Sequence, residues 1–253
     1  MKKSLLKGVL AAAIALIGIH LCYPAQYGNV SPAKKEMEAA DALNGQGVPL
    51  QHDPRGVVRW IEAAGGELND EAMRHLPDLP GLEWLEIGGG AVTSSGVSSL
   101  KDCISLRRLY IHDINLKGDS LAWLANLKNL EALSLQRTGI DGSVLRNLKA
   151  PGLKVLNLSG NEIKDEDMEQ IAAMRLEVLS LADTRISGAG IAKLEGTGSL
   201  NELNIMNCSI KDNDLEYFLT MPNLRIVYAA GCGINDWAIQ TVVSRFPMLA
   251  IFR

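Results

Sequence analysis

Catalytic side chains are few and scattered in this chain of 253 residues. Its four histidines, His20, His52, His75 and His112, share no motif spacing. There is no G-x-S-x-G, no H-E-x-x-H, no pair of C-x-x-C motifs and no phosphate-binding loop, so the usual sequence marks of nucleophilic, zinc and phosphoryl chemistry are missing. The run Gly88-Gly89-Gly90 opens no dinucleotide-binding unit and reads as a tight turn. Positive charge is not in excess either: 25 Lys and Arg stand against 29 Asp and Glu, a net charge of −4. Without a basic stripe to release counterions, nucleic acid is not the expected partner. No cofactor or metal is implied, and the expectation is a chain that binds rather than catalyses.

Long apolar runs are confined to the beginning of the chain. Met1 to Lys7 carries three lysines, and the sixteen residues from Gly8 to Tyr23 contain no Asp, Glu, Lys or Arg. This is the pattern of a bacterial secretory signal. Sixteen residues fall short of the roughly 20 that a spanning helix needs, although Leu5 and Leu6 extend the run toward an uncleaved anchor. Residues 1–23 are therefore expected to be a secretory signal or membrane anchor, with a possible tether through residues 5–23. The remainder would lie beyond the inner membrane, in the periplasm, envelope or cell surface. No clean A-x-A cleavage site follows, and Leu21 is bulky for the residue before a lipidated Cys22. Residues 24–53, rich in Ala, Gly, Gln and charged side chains, read as a flexible linker with a helical turn or two near Lys34 to Leu43.

What fills the rest is a phrase, L-x-x-L-x-L followed by a polar or small residue and an aliphatic one. Its first leucines are Leu82, Leu106, Leu130, Leu153, Leu176, Leu200, Leu224 and Leu249, spaced by 23 to 25 residues. Leu153-Leu156-Leu158-Asn161-Ile163 is one of the clearest copies. The leucines at positions four and six point to one side of a short strand and their neighbours to the other. Parallel stacking then builds continuous leucine ladders, each coil borrowing its core from the next. Five and eight residues after the aliphatic position eleven come pairs such as Met168 and Ile171 or Leu215 and Phe218. That three-residue gap predicts a short helix with an apolar stripe.

Asp165, Asp212 and Asp236 fall where helix N-caps are expected. Pro80, Pro151, Pro222 and Pro247 each precede a repeat leucine by two residues and end the helical leg. Upstream, Leu68, Asp70, Met73 and Leu76 fill the same leg slots, and Val57 to Ala64 reads as an amphipathic helix. Residues 54–81 are thus expected to form an N-terminal cap with a partial repeat, and 82–253 seven full units plus a truncated terminal strand.

A period in the twenties with this signature resembles the leucine-rich repeat family. Thr or Cys at position nine and the start Ile163-Lys164-Asp165 are similar to the bacterial and cysteine-containing repeats of the ribonuclease-inhibitor-like group. The resemblance implies an α/β solenoid, a curved right-handed coil with parallel strands on the concave face and short helices on the convex face, that binds proteins. Gly90 and Ile114 depart from the position-nine pattern, so the first coils are expected to be less regular. Cys208 and Cys232 occupy that position in adjacent coils, roughly 5 Å apart in backbone. A bridge is permitted there, and free thiols in a buried turn are the favoured alternative.

Positions three, five, seven and eight remain for the solvent. In the first coils they supply Trp84, Glu86, Arg108, Tyr110, His112, Asp113, Gln136 and Arg137; toward the end come Glu202, Asn204, Met206, Asn207, Ile226 and Tyr228. Aromatic and arginine anchors dominate protein interfaces. The expected binding residues are Trp84, Arg108, Tyr110, His112, Gln136 and Arg137, with Met206, Ile226 and Tyr228 as a second patch. Glu86 could also pair simply with Arg108 across adjacent strands. The partner class is a protein or peptide met by a monomer; a structural or self-assembling envelope component is the alternative.

Overall fold

The computed structural model describes residues 33–253, so the expected signal or anchor at 1–23 lies outside the described residues. Ten strands form one open sheet in sequence order: β1 (Leu50–His52), β2 (Val58–Ala63), β3 (Trp84–Gly88), β4 (Arg108–His112), β5 (Ala132–Gln136), β6 (Val155–Asn157), β7 (Val178–Ser180), β8 (Glu202–Asn204), β9 (Ile226–Tyr228) and β10 (Ala250–Phe252). The strands from β2 to β10 are parallel, and only β1 runs antiparallel, against β2. Short legs return the chain between parallel strands. Some are one-turn helices such as α2 (Asp70–Met73), α3 (Ser94–Val97), α4 (Met168–Ala172) and α5 (Gly188–Ala192); others, such as Ala122–Asn126 and Gly142–Asn147, are 3-10 turns. Two longer helices stand near the ends of this unit, α1 (Lys34–Gly45) and α6 (Asp236–Arg245).

The register aligns the repeat residue for residue: Leu85, Leu109 and Leu133 pair in succession, as do Leu156, Leu179, Leu203 and Val227. These ladders are fully buried, and the leg residues Met168, Ile171, Leu215 and Phe218 close the core from the other side. A side chain in any ladder therefore loses much of its cover if the neighbouring coil opens.

The segment Val57 to Ala64 is a strand, not a helix. Val58, Ile61 and Ala63 are buried at the spacing of the three leucines of the phrase, and Trp60 and Ile61 pair with Trp84 and Leu85. Valine, isoleucine and alanine replace the leucines of the phrase, and Val58 precedes Leu82 by the usual 24 residues. The repeat thus extends a full coil upstream. Short apolar runs have no periodicity long enough to separate helix from strand, and pairing with a preformed edge decides the outcome.

The flexible-linker reading of residues 24–53 is also corrected over the described part. α1 buries Ala39 and Leu43 in the common core, and β1 covers the outer edge of β2. An uncovered edge would leave a row of backbone donors and acceptors open to association. The corner after β1 is fixed by Asp53, which accepts bonds from Arg55 N (2.9 Å), Val57 N (3.1 Å) and Arg59 Nε (3.1 Å). Burial alone would raise its pKa, but these donors hold it well below the usual carboxylate range.

Position nine ties coil to coil. Asn161 Nδ2 donates to Leu135 O of the preceding coil (2.6 Å) and to Leu158 O of its own (2.9 Å), and its Oδ1 accepts from Thr138 N (3.1 Å). Thr184 Oγ1 donates to Leu181 O (2.6 Å), Cys208 Sγ to the same carbonyl (3.1 Å) and Cys232 Sγ to Ile205 O (3.1 Å). Cys103, Cys208 and Cys232 are free thiols, so the bridge between adjacent coils is not formed. Burial raises the pKa of all three, that of Cys103 to about 12.

The expected aspartate N-caps are displaced by one residue, because the legs begin earlier: Lys164, Lys211 and Asn235 hold the cap positions. In two of the three, the aspartate clamps the next coil. Asp165 accepts from Ser187 N (2.8 Å) and Ser187 Oγ (2.5 Å), and Asp212 from Asn235 N (2.8 Å) and Asn235 Nδ2 (2.5 Å). Asp70 does the same to Thr93, at 2.7 Å to N and 2.6 Å to Oγ1. Asp236 instead pairs with Arg253 at 3.0 Å. The legs pack closely at Gly188, where a Cβ would lie 2.0 Å from Asp214 Oδ1 and would displace that carboxylate.

Replacing Asn161 by Ala strips these buried carbonyls and Thr138 N of their shared partner. The expected loss is about 2 to 3 kcal/mol of unfolding free energy, read from urea denaturation. An unchanged midpoint would show that the position-nine ladder adds nothing to coil cohesion.

Candidate functional site

The outer face of the sheet carries three consecutive chemical zones. Register places Trp60, Trp84 and Arg108 side by side in one row and Glu62, Glu86 and Tyr110 in the next. Trp84 and Tyr110 meet edge to face, with ring centroids 6.1 Å apart and planes at 83°. The Trp84 indole Nε1 is buried without a hydrogen-bond partner among the described residues, whereas that of Trp60 donates to Gln51 Oε1. Burial raises the pKa of the Tyr110 phenol, so it stays protonated at neutral pH and can donate a hydrogen bond.

His112 lies over Gly88, where a Cβ would fall 2.0 Å from the ring. Its Nε2 approaches Glu86 at 3.5 Å and its Nδ1 approaches Asp113 at 3.1 Å. Asp113 is in turn gripped by Arg137 through two bonds of 2.6 Å. The bonds from Arg137 hold the Asp113 pKa down at about 2. Glu86 thus has His112 as its ion-pair partner rather than Arg108, and Gln136 lies beside His112 in register.

Arg137 is less a face residue than a rim residue. Position eight falls in the turn after each strand, with left-handed backbone at Gly89, Asp113, Arg137, Gly160, Asp183, Asn207 and Gly231. A non-glycine residue there costs roughly 1 to 2 kcal/mol. Pairs along the rim, Arg137 with Asp113 and Asn207 with Asp183 (2.8 Å), offset part of that cost.

The middle zone is a floor of small polar side chains. Ser134, Asn157 and Ser180 follow one another in register and are buried, and Ser159 Oγ lies 2.8 Å from Ser180 Oγ. The third zone brings Ile226 and Tyr228 beside Glu202 and Asn204, with Met206 in the following turn; Tyr228 stacks on Phe252 at 5.5 Å. Five strand steps separate Tyr110 from Tyr228, about 24 Å at the usual spacing. The nine expected residues therefore lie in two separate clusters.

Trp60 joins the face because its segment is a strand rather than the expected helix, and Phe252 joins it because the terminal strand pairs with β9. Glu202 was named as a face residue but not as a site. Nothing in the sequence says that it is buried, and only the register shows it between two aliphatic neighbours.

A family model described as "Leucine Rich repeat" matches residues 151–172. Among solved structures, an internalin C2 from Listeria monocytogenes aligns with 88% of this chain and 93% of its own, at 18% identity and a TM-score of 0.59. An internalin from the same organism aligns with 71% of this chain and 56% of its own, at 18% identity and a TM-score of 0.49. No curated protein matches the sequence. Repeat, register and fold together give the chain the architecture of a leucine-rich repeat solenoid.

The hydrogen bond that His112 donates to Glu86 raises the His112 pKa above 6.5, with Asp113 adding to the effect against partial burial. A raised folded-state value means that this stabilisation is complete below the unfolded value of 6.5 and is lost as pH rises through the folded one. The stability difference between the wild type and His112→Gln should therefore shrink over that interval. Urea titrations at stepped pH check this; a difference that does not vary with pH contradicts the Glu86–His112–Asp113 linkage.

Proposed function

We propose that the chain is a non-enzymatic, exported or membrane-tethered scaffold that captures a protein or peptide on the concave face of its sheet. The observation that carries this reading is the Trp84–Tyr110 pair with Arg108 beside it, half-buried on an open surface. Trp, Tyr and Arg are the residue types that anchor interfaces, because each offers a large contact area together with a polar group. Rigid strands hold these side chains on a preformed platform, which lowers the entropy lost on docking.

Export rests on the lysines and apolar run of residues 1–23. Among the described residues no helix is long and apolar enough to cross a membrane, so a tether would use that leading segment. The scaffold is expected to act as a monomer. Proximity labelling in the native envelope would supply the partner. Trp84→Ala and Tyr110→Ala should each then weaken its binding by about tenfold or more, while the thermal midpoint changes little. Unchanged affinity in both variants would remove the N-terminal cluster as the docking site.

A further inference from the structure

Glu202 lies on the same open face, yet only 4% of it is exposed. Its neighbours in the row are Val178 on one side and Ile226 on the other. No hydrogen bond or ion pair of its carboxylate is formed within the described residues, and burial raises its pKa. Every other residue at positions three, five and seven of the coils from β6 to β9 is uncharged, and the rim there adds Asp183 but no cation. A desolvated carboxylate without a partner is unfavourable unless something else compensates it.

The surroundings define what that compensating group would be. Ile226, partly exposed, offers apolar surface for an aliphatic stem, the carboxylate offers a charged acceptor at its end, and Tyr228, held by its stack on Phe252, lies beside Ile226 in the adjacent row. An aromatic ring next to a carboxylate suits a cation, which is attracted to both. A stem carrying a terminal positive charge is the form of a lysine or arginine side chain. We propose that Glu202, Ile226 and Tyr228 form a subsite that receives a basic side chain of the protein or peptide partner. This inference rests on the concave-face reading above and adds the chemistry of one contact.

The subsite can be tested without knowing the partner. The full chain, labelled with 13C at glutamate carboxyl groups and tyrosine rings, is titrated with N-acetyl-arginine methylamide, N-acetyl-lysine methylamide and the neutral isostere N-acetyl-citrulline methylamide. The two cationic probes should give saturable shifts at Glu202 and Tyr228, and citrulline should bind about tenfold more weakly or not at all. Glu202→Gln should abolish the preference for the cation while keeping or raising the urea midpoint, because no bond within the fold is lost. Equal responses to arginine and citrulline, the absence of any saturable shift, or a lowered midpoint in Glu202→Gln would each overturn the proposal. If the variant does not fold, the carboxylate is structural and the proposal falls. Failure here with capture through Trp84 and Tyr110 intact removes the subsite and leaves the concave-face reading standing.

Discussion

No coil of this protein can satisfy its own backbone or bury its own leucines, and the fold follows from that dependence. Each strand is only three to six residues long. Its carbonyls at position six are met by position-nine side chains, including those of the following coil, as Leu135 O is by Asn161 and Leu181 O by Cys208. On the opposite side, aspartates at the start of the legs clamp the backbone of the next coil. Along position two, Arg59 pairs with Glu83 (3.1 Å), Arg107 with Glu131, and Lys154 with Glu177 (2.9 Å). Exposed pairs of this kind add little energy, but their alternating sign disfavours a slip by one coil, which would bring like charges together.

The same cohesion creates the proposed binding surface. Locking the register places equivalent side chains in rows one strand spacing apart, so residues 24 positions distant in sequence, Trp84 and Arg108 for example, become neighbours. One face of every strand is committed to the core and the other is left to vary. The result is an aromatic and charged zone, a polar floor and a second aromatic zone in a line, each made from coils of identical backbone plan.

Much of this was legible in the sequence because it repeats. The leucine ladders, the apolar stripe of the legs and the free thiols at position nine all recur, and repetition averages away local ambiguity. What escaped was what occurs once or depends on contact across coils. Val58, Ile61 and Ala63 carry the phrase without a leucine, so their strand and Trp60 with it were hidden. Asp165 and Asp212 stand where caps are common, but their bonds run to residues 22 and 23 positions away. Burial of Glu202 is a property of its row rather than of its sequence neighbours. Pairwise geometry also reassigned Glu86 to His112, a choice that spacing alone left open.

The central claim is that the open sheet face receives the partner, and contact mapping tests it most directly. A photoreactive phenylalanine analogue placed at Ser180, on the floor of that face, should crosslink to the partner in cells that express the chain. The same analogue at Glu169, exposed on helical leg α4, should not. Crosslinking from Glu169 with none from Ser180 would put the partner on the convex side and contradict the account.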